Sequence, residues 1–124
     1  MIRWALIAAG LSGALAVVLG ALGAHAVDGA QAAGRFDTAA RYHLLHSVAL
    51  LGAALAPAAG ARPGPCAAVC VLWLTGIVVF CGSLYALALF GLPRLAAITP
   101  VGGLAFIGGW LLLVVAGWPP RRRA

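Results

Sequence analysis

The chain contains no lysine and no glutamate. Its only acids are Asp28 and Asp37, and eight arginines leave a formal net charge of +6. Charged residues make up 8% of the 124 positions, where a soluble domain carries about 25%. Hydrophobic residues make up 65%, and a chain this apolar would expose large patches in water, which soluble monomers avoid. A bilayer is the solvent that fits.

The scarcity of acids excludes chemistry as well. Neither aspartate lies within an apolar run, so no buried carboxylate pair and no carboxylate proton relay is available. A serine such as Ser83 beside His46 has no acid to complete a triad. The glycines do not follow a strand, so no phosphate loop is indicated. The sequence therefore reads as a non-enzyme. The arginines are scattered between apolar runs, which favours orientation in a membrane over nucleic-acid binding. Cys66, Cys70 and Cys81 are odd in number and suit small apolar helix positions better than a disulfide framework.

A helix needs about 20 apolar residues to cross a bilayer. Four stretches qualify, at about 4–26, 39–59, 66–91 and 98–118. The expected fold is all-α, a polytopic four-helix transmembrane bundle forming one domain. "VDGAQAAGRFD", "GARPGP" and "GLPRLA" break the chain with acids, glycines and prolines, and "WPPRRRA" closes it. The first stretch has a rival reading, because "MIR", an apolar run and "AHA" imitate a signal peptide cleaved after Ala26. The run is longer than a signal core of about 7–15 residues, and the expectation is a retained helix.

An even number of spans puts both termini on one side. That side collects Arg3, Arg62, Arg121, Arg122 and Arg123, against Arg35, Arg41 and Arg94 on the other. The positive-inside rule then places both termini in the cytoplasm. Small residues let membrane helices approach closely. Gly20 and Gly23 in the first stretch, Gly82 in the third, and Gly102, Gly103 and Gly109 in the fourth are the candidate packing positions.

"RYHLLH", residues 41–46, opens the second stretch. His43 and His46 are three apart and share a helix face. Helical rise puts His46 roughly 10 Å in from residue 39. The same arithmetic puts Ser83 and Tyr85 roughly 9–12 Å in from residue 91. His25 and Thr99 stand at the outer ends of their stretches, so all four stretches bring polar groups to the outer side, with Arg41 and Tyr42 as headgroup anchors. His25, His43 and His46 are candidate ligands for a metal or haem, and the cluster is a candidate quinone or proton-handling site. No cofactor follows from the spacing alone. The alternative is that the imidazoles bond backbone carbonyls, Ser47, Tyr85 or Thr99 and fix helix register. A transporter or channel is the least supported reading, since no charged residue lines a span centre and no inverted repeat is evident.

Four blocks, "LGALGAHA", "FDTAARYHLLHSVALL", "FCGSLYALAL" and "LAAITPVGGLAFIGGWLLL", stand in an order that resembles the YgdD-like, transmembrane protein 256-like family of small four-helix membrane proteins. The resemblance covers nearly the whole chain, with Cys81 where the family pattern has serine. It implies a multi-pass bacterial inner-membrane protein and supplies no established activity. It singles out Gly23, His25, Tyr42, His43, His46, Gly82, Ser83, Tyr85, Thr99, Pro100 and Gly102. The expected partners are the lipid bilayer and other membrane subunits or further copies of the chain, and not nucleic acid. A non-catalytic accessory or assembly subunit is the leading functional expectation, and a histidine-based binder is the alternative.

Overall fold

The computed structural model describes residues 1–119. Its helices are α1 (Arg3–Ala26), α2 (Ala30–Leu55), α3 (Pro63–Gly76), α4 (Gly82–Phe90) and α5 (Thr99–Gly117). A π segment, Ile77–Cys81, joins α3 to α4 in one continuous span. With short 3₁₀ turns at Ala56–Ala59 and Pro93–Ala97, four segments are long and apolar enough to cross a membrane. The all-α, four-span membrane architecture stands as the sequence predicts.

The second and third spans form the centre. Of their most apolar stretches 33% and 39% are buried, against 17% for the first and 17% for the fourth. α1 packs along α2, α5 packs along α3, and α2 meets the third span along its whole length. Close approach depends on side chains seated over glycine. Phe106 lies over Gly76, the Trp73 indole over Gly109, and Phe36 over Gly23; a methyl group at any of these glycines would overlap the ring. Lipid offers helices no hydrophobic drive to associate, so such van der Waals seats hold the bundle together.

α2 begins at Ala30, well ahead of the apolar stretch that starts near 39. Composition alone predicts a break over "VDGAQAAGRFD", but alanine is the strongest helix former and carries the helix out past the apolar region. An Asp37–Arg41 ion pair at 2.8 Å, one turn apart, and Phe36 packed against Tyr85 complete this extension. The break shrinks to Val27–Gly29, where Gly29 takes φ 90°, a conformation that favours glycine.

The prolines of "GARPGP" also act differently from expectation. Pro63 and Pro65 stand in the first turn of α3, where the missing N–H has no helical partner to lose. The stop belongs instead to Gly60, left-handed at φ 96°. Thr99 is the first residue of α5, with Ile98 at the cap position before it. The Thr99 hydroxyl turns back to the Leu95 carbonyl, 3.2 Å away.

The start of α1 and the end of α5 both meet the region where α2 gives way to α3. The Ile2 N–H donates to the Ala54 carbonyl at 2.8 Å, and the Arg62 N–H to the Ala116 carbonyl at 3.1 Å. The Arg62 guanidinium also donates to the Val115 carbonyl. A cation at a helix C-terminus is favoured by the helix dipole, so Arg62 caps α5. Arg121, Arg122 and Arg123, which contribute to the orientation argument, lie outside the described residues.

The π segment sets the register of the third span. The Gly82 N–H reaches the Ile77 carbonyl five residues back, so the turn holds one extra residue. In an uninterrupted α-helix, residues twelve apart would face about 120° away from each other. With one residue absorbed, the angle between Trp73 and Tyr85 falls to about 20°. Both therefore face α2, where Trp73 meets His46 and Tyr85 meets His43.

Candidate functional site

The helix face carrying His43 and His46 points into the bundle, and each ring is 2% exposed. The two have separate surroundings and opposite hydrogen-bonding roles.

His46 Nδ1 lies 2.8 Å from the Tyr42 carbonyl, and the Trp110 indole Nε1 lies 3.2 Å from His46 Nε2. A carbonyl only accepts and an indole only donates. His46 is thus the Nδ1–H tautomer, and both its nitrogens are committed. Its ring stacks on Phe106 with centroids 3.6 Å apart, and Trp73 stands edge-on at 6.0 Å. The Trp73 indole donates to the Phe106 carbonyl at 3.3 Å and packs on Trp110 at 4.6 Å. This aromatic group ties α2, α3 and α5 together.

His43 sits in a chain of hydrogen bonds whose direction follows from counting protons. Ser47 donates its one hydroxyl proton to the His43 carbonyl, 2.8 Å away. At the 2.7 Å contact between Ser12 and Ser47, Ser12 must then be the donor. That leaves Ser12 Oγ as an acceptor toward His43 Nε2 at 3.1 Å, so the ring proton is on Nε2. The ring is buried with no carboxylate beside it, conditions that disfavour an unpaired charge, and it is the neutral form. Nδ1 accepts from the Tyr85 hydroxyl at 3.2 Å. The chain of bonds links the first, second and third spans.

The remaining sequence candidates fall elsewhere. Ser83 and Thr99 bond each other at 2.7 Å and join α4 to the start of α5. Tyr42 is 43% exposed; its ring packs on Phe80 and lies parallel to the His46 ring with centroids 6.0 Å apart, and its backbone carbonyl accepts from His46 Nδ1. His25 is exposed in the last turn of α1, outside the hydrogen-bonded group. Among the described residues no three or more histidine, cysteine, aspartate or glutamate side chains come together as a metal site. With His25 apart and the lone pair of His46 covered by Trp110, a three-histidine centre is not assembled.

The candidate packing glycines separate into three groups. Gly23, Gly102 and Gly109 lie under neighbouring side chains or backbone, while Gly103 makes ordinary contact with the Phe80 ring at 3.7 Å. Gly20 and Gly82 have open space where a Cβ would stand.

Sequence reasoning missed Trp73 and Trp110 as partners of His46, and Ser12 as a partner of His43. A signal was present for the indoles. Each carries an N–H inside an apolar span, and such a group finds an acceptor when buried.

A groove of about 420 Å³ runs between α1 and the third span, with Ser12, His43 and Tyr85 on its wall. A second groove, of about 350 Å³, lies between α1 and α2 and is lined by Gly10, Gly13 and Ala14 among others.

Comparison with known proteins places this sequence in a family. Residues 19–103 match the family described as "Protein of unknown function (DUF423)". The chain is 37% identical over 129 residues to the UPF0382 inner membrane protein YgdD of Escherichia coli strain K12, covering 98% of this chain and 94% of that protein. It is 39% identical over 105 residues to the UPF0382 membrane protein YwdK of Bacillus subtilis strain 168, covering 82% and 85%. A UPF0382 membrane protein of Staphylococcus epidermidis is 40% identical over 111 residues, covering 86% and 88%. No solved structure matches.

Proposed function

The chain belongs to the DUF423 family of membrane proteins, and on that premise we propose that it is a single transmembrane domain serving as a non-catalytic accessory or assembly subunit of a larger membrane complex. The observation that supports this reading is the groove between α1 and α2. Gly10, Gly13 and Ala14 line it on α1, together with Leu6, as do Val48 and Leu51 on α2. Gly10 has nothing within 4 Å of where a Cβ would stand. Membrane helices associate through such small-residue tracks, because the backbones can approach. The buried polar groups support the same reading, since His46, Trp73, Ser83 and Thr99 are engaged in joining helices.

The relative in Escherichia coli is named an inner membrane protein, and the same location is proposed here, with both termini cytoplasmic. The arginine bias supports that orientation. Reporter fusions at Ala61 and at Leu92 test it: Ala61 is expected inside and Leu92 outside, and the reverse result overturns it.

Purification from native membranes in a gentle detergent, followed by native mass spectrometry, tests the subunit role. The expected result is stoichiometric co-migration with a second membrane protein, lost in Gly10→Leu and Ala14→Leu variants that keep the wild-type melting temperature. Recovery of only monomer or homo-oligomer overturns it.

A further inference from the structure

We propose that the groove between α1 and the third span binds a bilayer-dissolved amphiphile that carries a hydroxyl group, and that this hydroxyl donates to Tyr85 Oη. The inference does not depend on a partner occupying the Gly10–Ala14 track.

The groove has the make-up of a small-ligand site. Its volume of about 420 Å³ falls in the range of roughly 300–1,000 Å³ typical of such pockets. Leu15 and Leu19 on one side and Leu74 and Val78 on the other make it apolar, while Ser12, His43 and Tyr85 supply a compact polar region. Ile77 and Val78 of the π segment form part of the wall. A π turn within an α-helical span is often found at a functional site. Here the same turn brings Tyr85 round to His43.

The direction of the hydrogen-bond chain decides what the groove accepts. Tyr85 gives its proton to His43 Nδ1. His43 gives its own to Ser12 Oγ. Ser12 gives its proton to Ser47, and Ser47 to the His43 carbonyl. Each proton on these polar groups is directed into the bundle. Lone pairs remain on Tyr85 Oη, which accepts no hydrogen bond among the described residues, and one on Ser12 Oγ. The polar wall is therefore an acceptor surface. It complements a hydroxyl donor and offers nothing to a bare carbonyl. A carbonyl arriving from the bilayer gains no bond there whereas a hydroxyl gains one, a difference of roughly tenfold in affinity.

Two membrane sources carry this chemistry: a quinol, whose reduced ring bears hydroxyls, and a long-chain or glyceride alcohol. The geometry requires the donor and leaves the apolar body to the leucine walls. It discriminates sharply between a quinol and its own oxidised quinone, which have the same skeleton and opposite hydrogen-bonding character.

Binding of four probes to the purified full chain in lipid nanodiscs tests the inference: short-chain ubiquinol, short-chain ubiquinone, farnesol and dioleoylglycerol, read by native mass spectrometry and by shift in melting temperature. At least one hydroxyl-bearing probe is expected to bind about tenfold or more tightly than ubiquinone, and the tightest of the three names the source. Tyr85→Phe, which removes the acceptor, is expected to weaken that probe about tenfold. Because Tyr85→Phe also removes a bond to His43, Val78→Trp serves as the second variant. Val78 is 71% exposed on the groove wall, so the substitution fills the groove without touching the polar chain. It is expected to abolish binding at unchanged melting temperature. Ubiquinone binding as well as the hydroxyl probes, no binding by any probe, or undiminished binding in Val78→Trp each overturn the proposal.

Discussion

Gly102→Ala and Gly20→Ala make the same chemical change and are expected to have opposite effects. A methyl group at Gly102 would stand 2.7 Å from Phe80 Cβ and 2.8 Å from its Cα, and closer still to its backbone nitrogen. Ordinary contact begins at 3.4 Å. The obstacle is backbone within the π segment, so no side-chain rotation relieves it, and α5 must retreat by about 1 Å. A gap of about 0.5–1 Å forfeits a quarter to a half of the dispersion well along the shared face, and overpacking of this kind costs about 1–3 kcal/mol. At Gly20 nothing lies within 4 Å of the added methyl, and alanine improves helix propensity by up to about 1 kcal/mol. The two variants should therefore differ by about 2 kcal/mol or more. Reversible unfolding in mixed dodecylmaltoside and dodecyl sulfate micelles, followed by tryptophan fluorescence, measures both. Stabilities agreeing within about 0.5 kcal/mol would refute the assignment of Gly102 as a helix contact.

Three further outcomes are expected. In a double-mutant cycle, His46→Phe and Trp110→Phe should show a coupling of about 0.6–1.7 kcal/mol, the range for hydrogen bonds between membrane helices, and independent effects would remove the bond. Nitrogen-15 spectra of ring-labelled protein should show the proton on Nδ1 of His46 and on Nε2 of His43; the same tautomer at both sites would contradict the proton count. Chelator treatment of the purified protein should leave its melting temperature unchanged, since Trp110 covers His46 Nε2; a drop that zinc or copper reverses would restore the metal reading.

The four spans were legible because, in a chain with so little charge, apolar runs of bilayer-crossing length leave a membrane as the only solvent that suits them. The helix ends were less so. Apolar content marks where lipid begins, whereas alanine propensity carries α2 back to Ala30 and Gly29 sets the turn before it. The burial of His43 and His46 follows from their spacing and the polarity of the surrounding positions. Their opposite tautomers do not, because the deciding partners are Ser12, Tyr85 and Trp110 on three other helices, together with Ser47 on α2 itself. The π segment was invisible to a periodicity argument that assumes one turn length throughout. A count of small residues likewise treated Gly20 and Gly102 alike, since what lies opposite a glycine is a tertiary fact.

The extra residue in the π segment has a genetic consequence. In a regular membrane helix, loss of one codon turns everything downstream by about 100° and points a packed face at lipid. Within Ile77–Cys81 the same three-nucleotide deletion removes only the surplus residue. Trp73 and Tyr85 would keep their common face, and the reading frame would be preserved. This short stretch is where the gene can lose a codon and still encode both halves of the third span in register.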